Sequence, residues 1–272
     1  MNLKQAGLGT AMAALLAAPA GEAATPQVAA AETTLSFNVS GMHTQYHENL
    51  QVGDDESGYT PGAGVGISAL IPYGYQTDLY SSLAFELNAG PINYNGHYQT
   101  GQPATATDNA VFNRIEARIG VGLPLGGGAE AIPFLAGGYQ AWNRNVDHAN
   151  TTDGGEFYHT FLFGGGFKFD QPVGPAAVFS FGVELLGLAG GNVQNNGIGF
   201  GRGMGVTAEE LGWLGLDYAI TPRWHTFGTL YWEHFDYSGT HPEYFANGYA
   251  YEPLSTTTQF GVDAGVGYSF NE

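Results

Sequence analysis

The stretch Thr256–Phe270, TTTQFGVDAGVGYSF, decides the fold. Thr256, Thr258, Phe260, Val262, Ala264, Val266, Tyr268 and Phe270 fall on one face of an extended chain. Gln259, Gly261, Asp263, Gly265, Gly267 and Ser269 fall on the other. Strict period two means a β-strand with a different solvent on each side. The apolar side is continuous and ends in two aromatics, while the polar side is small and carries one carboxylate. A strand between lipid and a polar lumen needs this pattern, with an aromatic at the interface. A half-buried strand of a soluble sandwich alternates as well, so the rest of the chain must discriminate.

Composition favours the first reading. Only 12% of the 272 residues are charged, against about 25% in soluble domains. There are 43 glycines, and aromatics make up 14%. Beyond the N-terminus no apolar run is long enough for a membrane helix. Mean hydropathy is slightly negative, at −0.11, as expected when half of each strand faces a wet lumen. The chain has no cysteine, so stability must come from the sheet. A net charge of −18 argues against nucleic acid as a partner, because phosphate contacts need clustered Lys and Arg.

Residues 1–20 read as a secretory signal peptide. Lys4 is the charged start, Gly7 to Ala18 the apolar run, and Ala18-Pro19-Ala20 the small-x-small cleavage pattern. Residues 21–32 read as a flexible, Ala-rich lead-in, and residues 33–272 as one β-domain. Ten strands are expected, near 34–46, 59–72, 77–97, 111–123, 131–144, 156–169, 176–188, 208–221, 224–238 and 256–270, with eight or twelve as alternatives. The third loses its phase near Gly90-Pro91, which predicts a bulge or an extension past the membrane. The eighth and ninth alternate too weakly for their faces to be assigned.

The connections fall into two kinds that alternate along the chain. Those near 73–76, 124–130, 170–175 and 221–223 are short and turn-like. Those near 47–58, 98–110, 145–155, 189–207 and 239–255 are longer and polar. Short turns on one side and long loops on the other describe a membrane barrel. The chain therefore resembles the bacterial outer-membrane β-barrel class, of the small porin-like or OmpA type, over residues 33–270. The Thr256–Phe270 stretch is similar to the C-terminal strand of that class, with the departure that Asn271 and Glu272 follow Phe270. The resemblance implies a single antiparallel transmembrane barrel in the outer membrane. Two aromatic girdles are expected. Tyr73, Tyr75, Tyr80, Phe169, Trp224, Tyr268 and Phe270 lie near the short turns. Tyr46, Tyr59, Tyr94, Tyr98, Trp142, Tyr237 and Tyr244 lie near the long loops.

A charge on the lipid face of a strand costs about 2–4 kcal/mol for Arg or Lys at the midplane. Glu86, Arg114, Glu116, Arg118, Lys168, Glu184 and Asp263 occupy polar-face positions and are therefore expected to line the lumen as a paired cluster. A barrel of about this size is nearly filled by its own side chains, so the cluster is expected to fill the lumen rather than to select solutes.

Histidines and carboxylates gather toward the loops: His43 and His47 on one face of the first strand, and His234, Asp236, His241 and Glu243 around the last loop. These are suitable metal-ligand types, but their spacing matches no metal signature, and neither a metal nor a cofactor is expected. His with Asp at a barrel rim is similar to omptin-type outer-membrane proteases, although no aspartate pair completes that arrangement. Neither His159 nor His225 establishes a lipid-modifying hydrolase. No Gly-rich piece is followed by a helix and a Lys-Ser or Lys-Thr, so none is a phosphate loop. The expected function is structural, or a narrow porin-like or surface-interaction role. Its partners would be outer-membrane lipid and lipopolysaccharide, with a small solute or surface ligand at the long loops. An outer-membrane enzyme acting at the rim is the alternative.

Overall fold

The computed structural model describes residues 24–51, 53–73, 77–97, 102–146, 155–245 and 248–271. The expected leader, Tyr75 and Tyr98 lie outside them. A short helix α1 (Pro26–Glu32) precedes β1 (Thr34–Glu48), β2 (Asp55–Pro72), β3 (Asp78–His97), β4 (Pro103–Pro124), β5 (Glu130–Arg144), β6 (Glu156–Pro172) and β7 (Ala177–Asn195). The short β8 (Phe200–Gly203) follows, then β9 (Thr207–Ala219), β10 (Trp224–Tyr237), the small hairpin β11 (Glu243–Phe245) and β12 (Gly248–Ala250), and finally β13 (Ser255–Ser269).

Each wall strand pairs antiparallel with its neighbours in the order β6-β5-β4-β3-β2-β1-β13-β10-β9-β7, and a β6–β7 pairing closes the ring. The result is a ten-stranded barrel without a free edge, as the alternation predicts. β13 is fully paired on both sides, with Thr34–Glu48 of β1 and with Trp224–Tyr237 of β10. Its carboxylate Asp263 points inward while Phe260, Val262, Val266 and Phe270 stand exposed outside.

The outer wall carries an apolar belt. Val39, Ile67, Leu83, Ile119, Leu135, Phe163, Leu185, Leu214, Leu230 and Val262 are all exposed, Leu135 at 69% and Val39 at 66%. A soluble monomer does not leave a continuous ring of large apolar side chains in water. Burying each one is worth about 1.5–3 kcal/mol, and a bilayer is the environment that supplies that burial.

The long connections are shorter than the sequence suggests, because the strands run on beyond the belt. β3 and β4 stay paired as far as His97 and Pro103, without a register shift at Gly90-Pro91. What changes there is chemistry rather than register. Below that point β3 presents Leu83, Phe85 and Leu87 outward. Above it, Ile92 and Tyr94 are buried inside, while Asn93 and Asn95 face out. The ribbon keeps its pleat, but the solvent outside has changed from lipid to water, so the apolar face changes sides.

The same inversion corrects the expected outer girdle. Tyr59 and Tyr244 are exposed at 74% and 79%, but Tyr46, Tyr94, Trp142 and Tyr237 are buried, as is Tyr80 near the short turns. Each of these five has the inward parity of its strand, which distance along the strand does not reveal. Residues 26–32, expected as part of a flexible lead-in, are helical instead. Pro26 starts the helix, the Thr25 side chain accepts from the Val28 amide at 3.5 Å, and Val28 and Glu32 are buried. Proline is favoured in the first turn of a helix, and threonine caps it.

Candidate functional site in the barrel lumen

Even-numbered residues of β1 to β6 and odd-numbered residues of β9, β10 and β13 point inward. They build three storeys of polar and aromatic side chains.

The lowest storey closes the mouth that carries the short turns. Lys168 of β6 pairs with Glu32 of α1 and lies 3.6 Å from Asp170. Asp170 accepts from the Ser180 hydroxyl at 2.5 Å. Val28, Leu70, Ile132 and Val178 pack around the helix as a dry floor. Nearby, the Nδ1 of buried His225 lies 2.7 Å from Asp217.

The middle storey centres on β4. Arg114 reaches Glu116, Glu209 at 2.6 Å and Glu233 at 3.1 Å, with Gln140 at 3.5 Å. Arg118 donates to Glu116 at 2.6 Å and Glu184 at 2.8 Å. Its guanidinium lies over the rings of Trp213 and Phe134, at 4.8 and 5.1 Å. Two arginines so placed offset the repulsion among four carboxylates, and the contacts with both rings add cation–π attraction.

The upper storey is aromatic. Phe112, Trp142, Tyr158 and Tyr237 stack in one continuous column with centroid spacings of 5.0, 5.6 and 5.3 Å. Tyr46 packs edge-on against Trp142. Arg144 caps the column, paired with Glu56 and with Glu156 at 2.7 Å. The Tyr158 hydroxyl donates to Glu252 of the last loop at 2.7 Å. Burial, and then the neighbouring Glu156, push the Glu252 carboxyl well above the ordinary carboxylate range.

Between the middle and upper storeys lies a cavity of about 300 Å³, lined among others by Glu86, Asn88, Arg114, Tyr231, Gln259 and Asp263. Of the residues singled out from sequence, Arg114, Glu116, Arg118 and Glu184 form one ion-pair network. Glu86 and Asp263 face the cavity beside it, both within reach of Asn38. Lys168 stands apart, in the lowest storey. Glu209 and Glu233 were missed because inward Leu211, Trp213 and Phe235 blur the alternation of β9 and β10. Glu56 was missed because its stretch reads as a loop, and Arg144 because it is the last residue of the expected fifth strand.

The rim histidines do not converge. His47 meets Asp55 at 2.6 Å on the exposed outer surface. His234 meets Thr258 at 2.9 Å, Asp236 accepts from Thr256 at 2.7 Å, and Glu243 pairs with Arg202 at 3.1 Å. Among the described residues, no group of three or more such side chains is placed to hold a metal.

No known protein family matches the chain, and no curated protein matches it in sequence. Its fold has solved counterparts. The outer membrane protease OmpT of Escherichia coli matches with a TM-score of 0.56 at 10% identity, covering 88% of this chain and 97% of that one. The translocator domain of the autotransporter NalP of Neisseria meningitidis follows with a TM-score of 0.40 at 14% identity, covering 88% and 89%. At such identities the likeness is one of fold alone.

Proposed function

We propose that this chain is an outer-membrane barrel closed to solute flow, whose work is done at the outer surface. The closed lumen is the observation behind this reading. A cation path would have to cross the Lys168–Glu32 floor, the Arg114 and Arg118 network, and the four-ring column from Phe112 to Tyr237. Each is a packed or ion-paired layer: dismantling either ion-paired layer would leave buried charge unpaired, and dismantling the column would break close ring packing. The part that stands in water is a β-ribbon crown bearing outward Asn93, Asn95, Thr105, Thr107 and Asn109. Bilayer lipid and lipopolysaccharide surround the belt, and a polar surface ligand suits the amides and hydroxyls of the crown. A rim enzyme would need an acid–base pair converging at the mouth, whereas His47 and His234 each have their partner on the outside of the wall.

Conductance across a planar lipid bilayer tests the proposal. The folded protein is expected to give no open-channel steps. Large, stable steps from protein shown by heat-modifiable mobility to be folded would overturn it.

A further inference from the structure

Among the described residues, the longest interruption of ladder pairing within the barrel wall lies at the seam between β2 and β3. β2 and β3 are paired from Asp55–Asn95 to Ser57–Asn93, and pairing resumes at Gly62–Asn88. The four residues of each strand in between carry no ladder pairing. The gap contains Pro61 on β2 and Pro91 on β3, neither of which has an amide hydrogen to donate. The flanking ladders are unbroken: Pro61 sits opposite Gly41 of β1, and Pro91 opposite Asn109 of β4. The pairing of β2 with β1 and of β3 with β4 is thus intact at this height, and the β4–β5 ladder, between Gly120–Phe134 and Leu123–Ala131, loses only two residues of each strand.

Both sides of the seam are shaped. Outside, Pro61, Ala63, Val65, Phe85, Leu87 and Ala89 line an apolar groove in the upper part of the belt. Inside, Gly62 has no side chain, and in its place the Ser40 hydroxyl of β1 donates to Asn88 of β3 at 2.8 Å, directly across β2. A Cβ at Gly62 would collide with both groups. Asn88 also lines the lumen cavity. The wall here is one backbone thick; immediately above Gly62–Asn88 it is short of ladder bonds, and the Ser40–Asn88 bond spans the lower edge of that gap from within. Segments with few backbone bonds open at low free-energy cost.

We propose that the β2–β3 seam is a lateral opening through which one hydrocarbon chain of a bilayer amphiphile reaches the lumen cavity, with the Ser40–Asn88 bond as its latch. The groove lies in the belt that faces acyl chains, and its lining is apolar, so a hydrocarbon chain is the occupant it fits. This goes beyond the surface role above and is compatible with a lumen that passes no ions.

The absence of cysteine and a count of four tryptophans make the test direct. Trp224 and Trp232 lie on outward-facing positions of β10, whereas Trp142 and Trp213 line the cavity. In a Trp224→Phe, Trp232→Phe background, Pro61→Cys and Ala89→Cys are introduced at facing positions of the seam. The protein is folded into phosphatidylcholine vesicles containing a brominated fatty acid. In the reduced protein the lumen tryptophans are expected to be quenched. Oxidation to the cross-linked form should abolish that quenching, and reductant should restore it. Asn88→Ala, without the cysteines, is expected to increase quenching. Equal quenching in the oxidised and reduced forms, or none in either, would overturn the proposal. Unchanged quenching in Asn88→Ala would overturn the latch. Heat-modifiable mobility confirms that each variant is folded, and bilayer conductance is read in parallel so that the closed-lumen reading is judged separately.

Discussion

Arg114 touches three carboxylates, and two of them, Glu209 and Glu233, come from strands on the other side of the lumen. Replacing it with methionine keeps the volume but leaves those acids without their cation. Removing one partner of a buried ion network costs about 3–5 kcal/mol. Arg114→Met is therefore expected to lower the urea unfolding midpoint in vesicles, and adding Glu209→Gln and Glu233→Gln should recover part of the loss. Glu252 carries the opposite lesson. The fold raises its pKa, so below the ordinary carboxylate range it is protonated whether folded or unfolded, and its burial brings no pH-dependent penalty. As pH rises from about 4.5 toward neutrality the unfolded chain releases that proton and the folded chain does not, so stability falls. The unfolding midpoint is expected to be higher at about pH 5 than at about pH 8, and Glu252→Gln should flatten that slope. The sequence disclosed Arg114, Arg118, Glu116 and Glu184, because each stands among apolar neighbours of opposite parity and can only point inward. Glu252 was invisible for the converse reason: it lies outside any strand, and nothing local says that Tyr158 will reach it.

At the scale of the element, β7 holds the only register shift in the wall among the described residues, between the His159 and Phe161 partners, at Gly190 with φ +62°. Before it the even residues point inward, among them Leu186 and Leu188; after it Val193 and Asn195 do so. One extra residue thus exchanges the faces of the strand's outer end, as a bulge must. A Cβ at Gly190 would lie 3.2 Å from the Phe161 ring, and a left-handed backbone disfavours any L side chain by about 1–2 kcal/mol. Gly190→Ala should lose about that much in urea titration, with mobility on unboiled gels unchanged. Period two located this strand but not its change of face, because polar and apolar residues in Ala189–Asn195 do not alternate. The third strand was misleading in the other direction. Its chemical phase breaks at Gly90-Pro91 while its register does not, because the two halves of the strand stand in different solvents. The helix Pro26–Glu32 escaped notice because seven Ala-rich residues carry no amphipathic period long enough to read.

For the whole molecule, the polarity of the outer wall is a record of what surrounds it, and it divides the barrel into a belt and a crown. Leu135 of β5 and Asn95 of β3 are both exposed and both point outward from paired strands. By accessibility to water alone, arginine should be tolerated equally at either position. If the belt lies in a bilayer and the crown in water, the two must differ. Leu135→Arg then places a cation against hydrocarbon, at a cost of about 2–4 kcal/mol near the midplane. Asn95→Arg is a surface change in water, expected within about 0.5 kcal/mol of the parent. Urea titration of both variants in vesicles, read by the loss of the fast-migrating unboiled band, measures the difference. A soluble barrel would show no such gap and would fold without detergent or lipid. A gap of the expected size would place the bilayer around Leu135 and leave Asn95 above it, with the crown free to meet whatever the surface encounters.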